Sequence, residues 1–258
     1  MSKEYRLSKI FRPETGNTLI LPVDHGVSAG NIKGLENPVQ VLKDLKSSDV
    51  DAILMSDGIA RQAESEFYGK SSPARIIAAD VVYSNDKKIH HDLYTNVETA
   101  VKKGYDCIKL IMFWDRPPEE QMQSIQVISS VINEADKWDM PVMVEPLTYN
   151  FIEDENKRIE VLTDAARIAY ELGTDILKLP HPGETETMAS WVRNYNVPII
   201  LLGGATDGSV NDIVTQVSTA ISFGVRGVAI GRNIWQRPNN EAKQLLSEFA
   251  KVIHKDNS

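Results

Sequence analysis

The feature that most constrains the fold is a regular alternation of short apolar runs with longer segments of helical period. The runs are rich in β-forming residues and begin roughly 23 to 35 residues apart, which is about the length of one βα unit. Eight runs are found, at residues 18–26, 51–58, 75–83, 106–114, 141–147, 175–180, 198–204 and 227–233. Eight such units predict an α/β fold, a (β/α)8 TIM barrel, as a single domain over residues 1–258.

The alternative fold is a doubly wound open sheet. That fold would place a G-x-G-x-x-G turn after the first strand, whereas the first run here ends in Asp24, His25 and Gly26. The barrel is therefore favoured. Residues with a catalytic role are then expected at the carboxyl ends of the strands.

Composition excludes several classes of protein. Hydrophobic residues make up 42% and charged residues 25%, which excludes disordered and fibrous chains. The net charge of −8 disfavours a general nucleic-acid binder. The single cysteine, Cys107, cannot form an internal disulfide or a multi-cysteine zinc site. No signal-peptide core or membrane-spanning run is present, so we predict a cytoplasmic protein with neither a nucleic-acid nor a membrane partner.

Four of the predicted strands carry a charged residue late in the run: Asp24, Lys109, Glu145 and Lys178. Their neighbours two positions away are mainly apolar or proline, and alternation along a strand predicts that these charges point into the barrel. A buried lysine beside a second cation can act as a nucleophilic amine, and a carboxylate can move protons. The alternative is a set of lysine–carboxylate pairs that only brace the interior.

A second pattern lies at the ends of the last two runs, where Gly203 and Gly204 are followed 27 residues later by Gly231 and Arg232. Loops at these two positions of a TIM barrel often bind phosphate through backbone N–H groups. We predict a phosphate site there, with Arg232 as a clamp. The alternative is a tight turn and a surface arginine.

Other polar residues are weaker candidates. His25 is either a histidine satisfied at the strand end or a contact to a substrate hydroxyl. We predict that His90 and His91 lie in a solvated loop, that His181 lines the rim, and that Asp57 holds a turn or contacts substrate. No spacing typical of a metal site is present, so no metal is predicted.

Three motifs resemble the class I, Schiff-base aldolases, the group that includes archaeal-type fructose-bisphosphate, deoxyribose-phosphate and tagatose-bisphosphate aldolases. They are VDHGVSAGNIKGLENP at residues 23–38, DILKLPHPGE at 175–184 and GVAIGRNIWQ at 227–236. The first also resembles aminodideoxyheptulosonate synthase. The resemblance implies that Lys178 forms the Schiff base and that the third motif binds phosphate.

The middle of the chain departs from the archaeal-type pattern. CIKLIMFWD at residues 107–115 and VEPLTYN at 144–150 look more like tagatose-bisphosphate and sulfofructose-phosphate aldolases. This resemblance implies active-site roles for Lys109 and Glu145, with Tyr149 as the counterpart of the family's tyrosine. Leu202 stands where a serine commonly precedes the glycine pair.

The resemblance implies an aldolase that cleaves or forms a C–C bond in a phosphorylated ketose, with dihydroxyacetone phosphate as the ketone half. Lys178 would form the imine, and Glu145 would shuttle protons, with Tyr149 as the second choice. Lys109 would lower the pKa of Lys178 and orient Glu145 or a substrate oxygen, and Asp24 would bind a hydroxyl or assist proton transfer. No cofactor is expected, because the imine is itself the electron sink.

Three alternatives stay open at this point: a transaldolase-like synthase, a phospho-ketone thiolase on the same scaffold, and a barrel that binds a sugar phosphate without catalysis. In each case the partner is a small-molecule sugar phosphate. We also expect a homo-oligomer.

Overall fold

The structure is a computed structural model that describes residues 1–46, 49–85, 88–203 and 210–255. Within these residues, eight strands form a closed parallel barrel. The barrel strands are β1 (Thr18–Pro22), β2 (Ala52–Met55), β3 (Ala74–Ala78), β6 (Cys107–Phe113), β7 (Val142–Leu147), β8 (Ile176–Leu179), β9 (Ile199–Leu202) and β10 (Gly227–Ala229). Their order around the ring is β1-β10-β9-β8-β7-β6-β3-β2, and β1 closes the ring by pairing with β2. The predicted TIM barrel is confirmed.

Helices follow the strands and cover the outside of the barrel. They are α1 (Lys3–Ile10), α2 (Gly26–Ala29), α3 (Pro38–Leu45), α4 (Asp57–Gln62), α5 (Val97–Lys102), α6 (Pro118–Asp136), α7 (Glu155–Glu171), α8 (Thr185–Asn194), α9 (Val210–Ser222), α10 (Arg232–Trp235) and α11 (Asn239–Ile253), with one 3-10 turn at Glu64–Phe67. None of the helices in the described ranges is long and apolar enough to cross a membrane.

The third predicted run, residues 75–83, is not one strand, and this corrects the sequence prediction. The barrel strand β3 ends at Ala78, and the chain continues into an antiparallel hairpin of β4 (Asp80–Asn85) and β5 (Lys88–Leu93). A continuous apolar pattern does not reveal a break in strand direction, which is why the run looked uniform. His90 and His91 lie in the strand β5 and not in a loop. His90 is exposed, whereas His91 is buried where β5 packs against α6.

Alternation along the strands divides the core into two layers. Ile20, Leu54, Ile76, Ile176 and Ile200 face the inside of the barrel and pack with Ile10 and Phe11 from the end of α1. Their neighbours in sequence pack outward against the helices. Position 109 follows Cys107 by two residues, 145 follows Met143 and 178 follows Ile176, so these three charges share the inward parity, as predicted.

The amino end of the barrel is closed by charge pairs as well as by apolar packing. Asp51, Asp106 and Asp175 each accept a backbone N–H from a strand at 2.7 to 2.9 Å. Each also pairs with a cation from the N-terminal segment, namely Arg12 at 2.5 Å, Lys9 at 2.7 Å and Lys3 at 3.0 Å. This end is therefore sealed, and the open end of the barrel is the carboxyl end.

Candidate active site

A cavity of about 270 Å³ opens at the carboxyl end of the barrel, and all four charged residues singled out in the sequence line it. Lys109 projects from β6, Glu145 from β7 and Lys178 from β8, while Asp24 follows β1. Because β7 lies between β6 and β8, the carboxylate comes to stand between the two lysines. The rest of the lining is mainly small or apolar.

The four side chains form one connected cluster. Glu145 Oε1 accepts a hydrogen bond from Lys178 Nζ at 2.7 Å, and its Oε2 lies 2.7 Å from Lys109 Nζ. Asp24 Oδ2 lies 3.5 Å from the same Lys109 nitrogen. None of the four side chains is more than 10% exposed. The cluster pairs two cations with two anions, so burial does not leave an uncompensated charge.

The protonation of the cluster follows from these contacts. Burial by itself would raise the pKa of Glu145, but the charges of Lys109 and Lys178 outweigh it and lower that pKa to about 2. Burial would likewise lower the pKa of Lys109, and the carboxylates of Glu145 and Asp24 raise it instead. Glu145 is therefore an anion and Lys109 a cation at neutral pH.

The sequence predicts that the positive charge of Lys109 acts directly on Lys178. The structure instead inserts Glu145 between the two ammonium groups, in hydrogen-bond contact with each. A proton on Lys178 Nζ thus has an acceptor within 2.7 Å. A general base in hydrogen-bond contact is one of the ways in which a lysine is activated as a nucleophile.

His25 faces the cavity. β1 ends at Pro22, so strand alternation no longer determines the direction of this side chain. Its Nδ1 lies 3.6 Å from Asp24 Oδ1 and makes no hydrogen bond with the described part of the chain. Burial lowers the pKa of His25, although the Asp24 carboxylate opposes the shift. A neutral imidazole is thus available to a ligand beside Asp24.

The opposite wall of the cavity contains the predicted phosphate residues. Gly203, Gly231 and Arg232 all line it, while Gly204 lies outside the described residues. The side chain of the exposed Arg232 has neither a hydrogen bond nor an ion pair with any residue that the structure describes. It is therefore a cation available to an anionic ligand.

Close packing explains the two glycines even without a ligand. A Cβ on Gly203 would lie 2.6 Å from Ile230 Cγ1, and one on Gly231 would lie 3.0 Å from both the Pro22 carbonyl oxygen and the Trp235 indole nitrogen. Any larger residue would push neighbouring strand ends apart. The glycines thus keep this wall of the cavity compact.

Tyr149 does not join the charged cluster. Its ring packs edge-on against Phe113 at 5.4 Å and under the Arg116 guanidinium at 4.9 Å, and 43% of the residue is exposed. Its backbone N–H is held by Asp115 at 2.5 Å. Of the two residues considered for proton transfer, the structure brings Glu145 and not Tyr149 to Lys178.

The weaker candidates have other partners. Asp57 accepts hydrogen bonds from Lys103 at 2.7 Å and Tyr105 at 3.0 Å. His181 lines an adjacent cavity and accepts a hydrogen bond from the Gly183 N–H at 3.0 Å. Across the ranges that the structure describes, no group of three or more His, Cys, Asp and Glu side chains is placed to hold a metal ion.

Tyr94 lies near the cluster and is not among the residues that the sequence predicts. Its hydroxyl donates to the Ala78 carbonyl at the end of β3, and burial together with the Asp24 charge raises its pKa. The residue follows β5, which the sequence did not show as a strand. No signal in the apolar pattern could therefore have found it.

The chain is similar to known proteins over nearly its whole length. Residues 18–237 match the model of the DeoC/LacD family aldolases. An uncharacterized aldolase of Saccharolobus solfataricus is 28% identical, with 99% of this chain and 96% of the relative aligned. The 2-amino-3,7-dideoxy-D-threo-hept-6-ulosonate synthase 1 of Archaeoglobus fulgidus is 30% identical, with coverage of 98% and 92%.

Among solved structures, an archaeal fructose-1,6-bisphosphate aldolase superposes with a TM-score of 0.80 at 23% identity, over 98% of this chain and 99% of that one. In that structure the catalytic lysine is covalently bound to the carbinolamine intermediate of its substrate. At this level of identity the match shows a common fold.

Proposed function

This chain belongs to the DeoC/LacD family of aldolases, and from that premise we propose that it cleaves or forms a C–C bond in a phosphorylated ketose through a Schiff base on Lys178. The observation that carries the proposal is the contact of 2.7 Å between Lys178 Nζ and a carboxylate that Lys109 holds from its other side. This contact brings together a nucleophile and a proton acceptor, held in a fixed geometry in one cavity.

Imine formation follows from this contact. A proton moves from Lys178 Nζ to Glu145 Oε1, and the neutral amine adds to the ketone carbon to give a carbinolamine. The protonated Glu145 then returns its proton to the carbinolamine hydroxyl, which leaves as water. Since the pKa of Glu145 is about 2, it holds this proton only transiently.

Bond cleavage requires a second base, because the hydroxyl on the cleaved side must lose its proton as the electrons move into the iminium. We assign that role to Asp24, which lies at the edge of the cluster and next to His25. The protonated Asp24 and the departing aldehyde are the products of this step, and the enamine stays on Lys178. Lys109 keeps both carboxylates in position.

The phosphate of the ketone half is assigned to the wall formed by Gly203, Gly231 and Arg232. Arg232 is the cation of this wall, and its guanidinium can bind phosphate in a bidentate manner. Dihydroxyacetone phosphate is the ketone half that carries both the carbonyl and the phosphate. The assembly of a homo-oligomer and a cytoplasmic location stay predictions from the sequence.

The test is reduction with borohydride in the presence of dihydroxyacetone phosphate, followed by mass spectrometry of the peptides. We expect a stable adduct on Lys178 and none after Lys178→Met, a change that keeps an unbranched apolar chain of similar volume. Lys109→Met is the matched control and should still give an adduct on Lys178. No adduct, or an adduct on Lys109 alone, would overturn the assignment. A barrel that only binds sugar phosphates would also give no adduct.

A second candidate is a synthase that transfers the ketone half to another aldehyde. It is favoured by the 30% identity with the Archaeoglobus fulgidus synthase. Both reactions share the imine on Lys178 and differ in the acceptor. The enzyme that forms the trapped adduct is incubated with dihydroxyacetone phosphate and a panel of aldehydes. Product analysis by mass spectrometry then distinguishes the aldolase from the synthase.

A further inference from the structure

The wall of the barrel changes its construction beside Lys109. Up to Ala78, β3 pairs with β6, and the Ala79 N–H donates to the Lys109 carbonyl at 3.1 Å. The chain then leaves the barrel to form the β4–β5 hairpin. The N–H of Ile111, two residues further along β6, therefore has no β3 backbone carbonyl opposite it, although β6 still pairs with β7 on its other side.

A side chain takes the place of the missing strand. Asp80 Oδ2 accepts the Ile111 N–H at 2.6 Å, two residues beyond Lys109. The same oxygen accepts a hydrogen bond from His91 Nε2 at 2.8 Å, because an ionised carboxylate can only accept. His91 Nδ1 lies 3.1 Å from the Ser124 hydroxyl on α6.

The three side chains linked by these contacts are all buried, with exposed fractions of 3% for Asp80, 2% for His91 and 5% for Ser124. Asp80 Oδ1 is also buried and has no hydrogen-bond partner in the part of the molecule that is described. Burial of a carboxylate with one free oxygen is costly, and a neutral residue could accept a single N–H at lower cost. The negative charge therefore calls for a reason.

The negative charge of Asp80 is explained by the neighbouring active-site cluster. The charge of Asp80 acts on Lys109 in the same direction as those of Glu145 and Asp24 and helps to raise its pKa. We propose that Asp80, held by His91 beside β6, is a positioning residue whose negative charge keeps the Lys109 ammonium against Glu145. The inference rests on the proposed function, since it concerns how fast Lys178 forms its imine.

Asp80→Asn removes the charge and keeps the shape, and its amide oxygen can still accept the Ile111 N–H. The matched control is Asp106→Asn, at the sealed end of the barrel, where a carboxylate that is 1% exposed accepts the Arg75 N–H at 2.9 Å. Both variants lose a buried carboxylate that holds a strand. Of the two, only Asp80 acts on Lys109, whereas Asp106 pairs with Lys9 at the sealed end.

The measurement is the rate of borohydride-trapped adduct formation on Lys178 as a function of dihydroxyacetone phosphate concentration. For Asp80→Asn we expect the saturating rate to fall about 10- to 100-fold, as for a displaced catalytic group, with half-saturation changed by less than about threefold. Asp106→Asn should keep the saturating rate within about twofold per folded molecule, because it is distant from the reacting atoms.

His91 provides a second pair of variants in case Asp80→Asn does not fold. His91→Gln keeps an N–H donor near the position of Nε2 and should retain most of the rate, whereas His91→Leu removes the donor and should lose it. The positioning role would be overturned if Asp80→Asn or His91→Leu formed the adduct at the wild-type rate. It would also be overturned if Asp80→Asn and Asp106→Asn lost equal amounts of rate. Failure of the proposed function would appear as a wild type that forms no adduct. Failure of the positioning role alone would appear as variants that form the adduct as fast as wild type, so the two failures are distinguishable.

Discussion

Glu145 is the residue on which the charge balance of the site depends. One carboxylate holds two ammonium groups at 2.7 Å each, and this arrangement gives it both a low pKa and a direct path for a proton from Lys178. A neutral isostere would keep the shape and lose both properties. Tyr149, the other candidate, is exposed at the rim.

Glu145→Gln should therefore lower turnover by roughly 10² to 10⁴, the range for loss of a general acid–base group. Tyr149→Phe removes one hydroxyl outside the cluster, and we expect turnover within about threefold of wild type. Steady-state cleavage of a ketose phosphate is the measurement. The proton-transfer assignment would move to Tyr149 if the two variants showed the reverse order.

Arg232 is the cation on the cavity wall to which we assign the substrate phosphate. Arg232→Ala should weaken binding of dihydroxyacetone phosphate by about 1.5–3 kcal/mol, the usual worth of a hydrogen bond to a charged group. Calorimetric titration with dihydroxyacetone, which lacks the phosphate, is the control and should show almost no change. An equal loss for both ligands would place Arg232 outside the phosphate site.

At the scale of elements, the ends of β9 and β10 approach so closely that a side chain on Gly203 would overlap Ile230. We expect Gly203→Ala to lower the free energy of unfolding by about 1–3 kcal/mol in the absence of ligand, as overpacking does. Thermal or urea unfolding measures this effect. Ile230→Ala in the same chain should recover part of the loss in a double-mutant cycle, and additive losses would show that the contact does not matter.

At the scale of the whole molecule, the buried cluster links stability to pH. The pKa of Glu145 is lowered from 4.5 to about 2, so its contribution is fully present above pH 4.5 and is lost as pH falls toward 2. Wild type should thus exceed Glu145→Gln in unfolding free energy by roughly 3 kcal/mol near neutral pH. Denaturant unfolding from pH 7 to pH 2 checks this.

The difference between the two proteins should shrink through this range, because protonated Glu145 carries the same charge as glutamine. Tyr149→Phe is the control variant and should show no such pH dependence. A difference that stayed constant down to pH 2 would mean that the carboxylate is not ionised in the folded protein.

The sequence by itself determined the barrel and the inward direction of Lys109, Glu145 and Lys178, because spacing of βα units and alternation along a strand are local properties of a chain. It could not determine that Glu145 separates the two lysines, since that depends on which strands are neighbours in the closed ring. It also missed the β4–β5 hairpin, because an apolar run looks the same whether or not the strand turns. The places of His25, Tyr149 and the Asp80–His91 pair were decided only by the tertiary structure. The reason is that buried charges and polar groups are stabilised by contacts between residues that are distant in sequence.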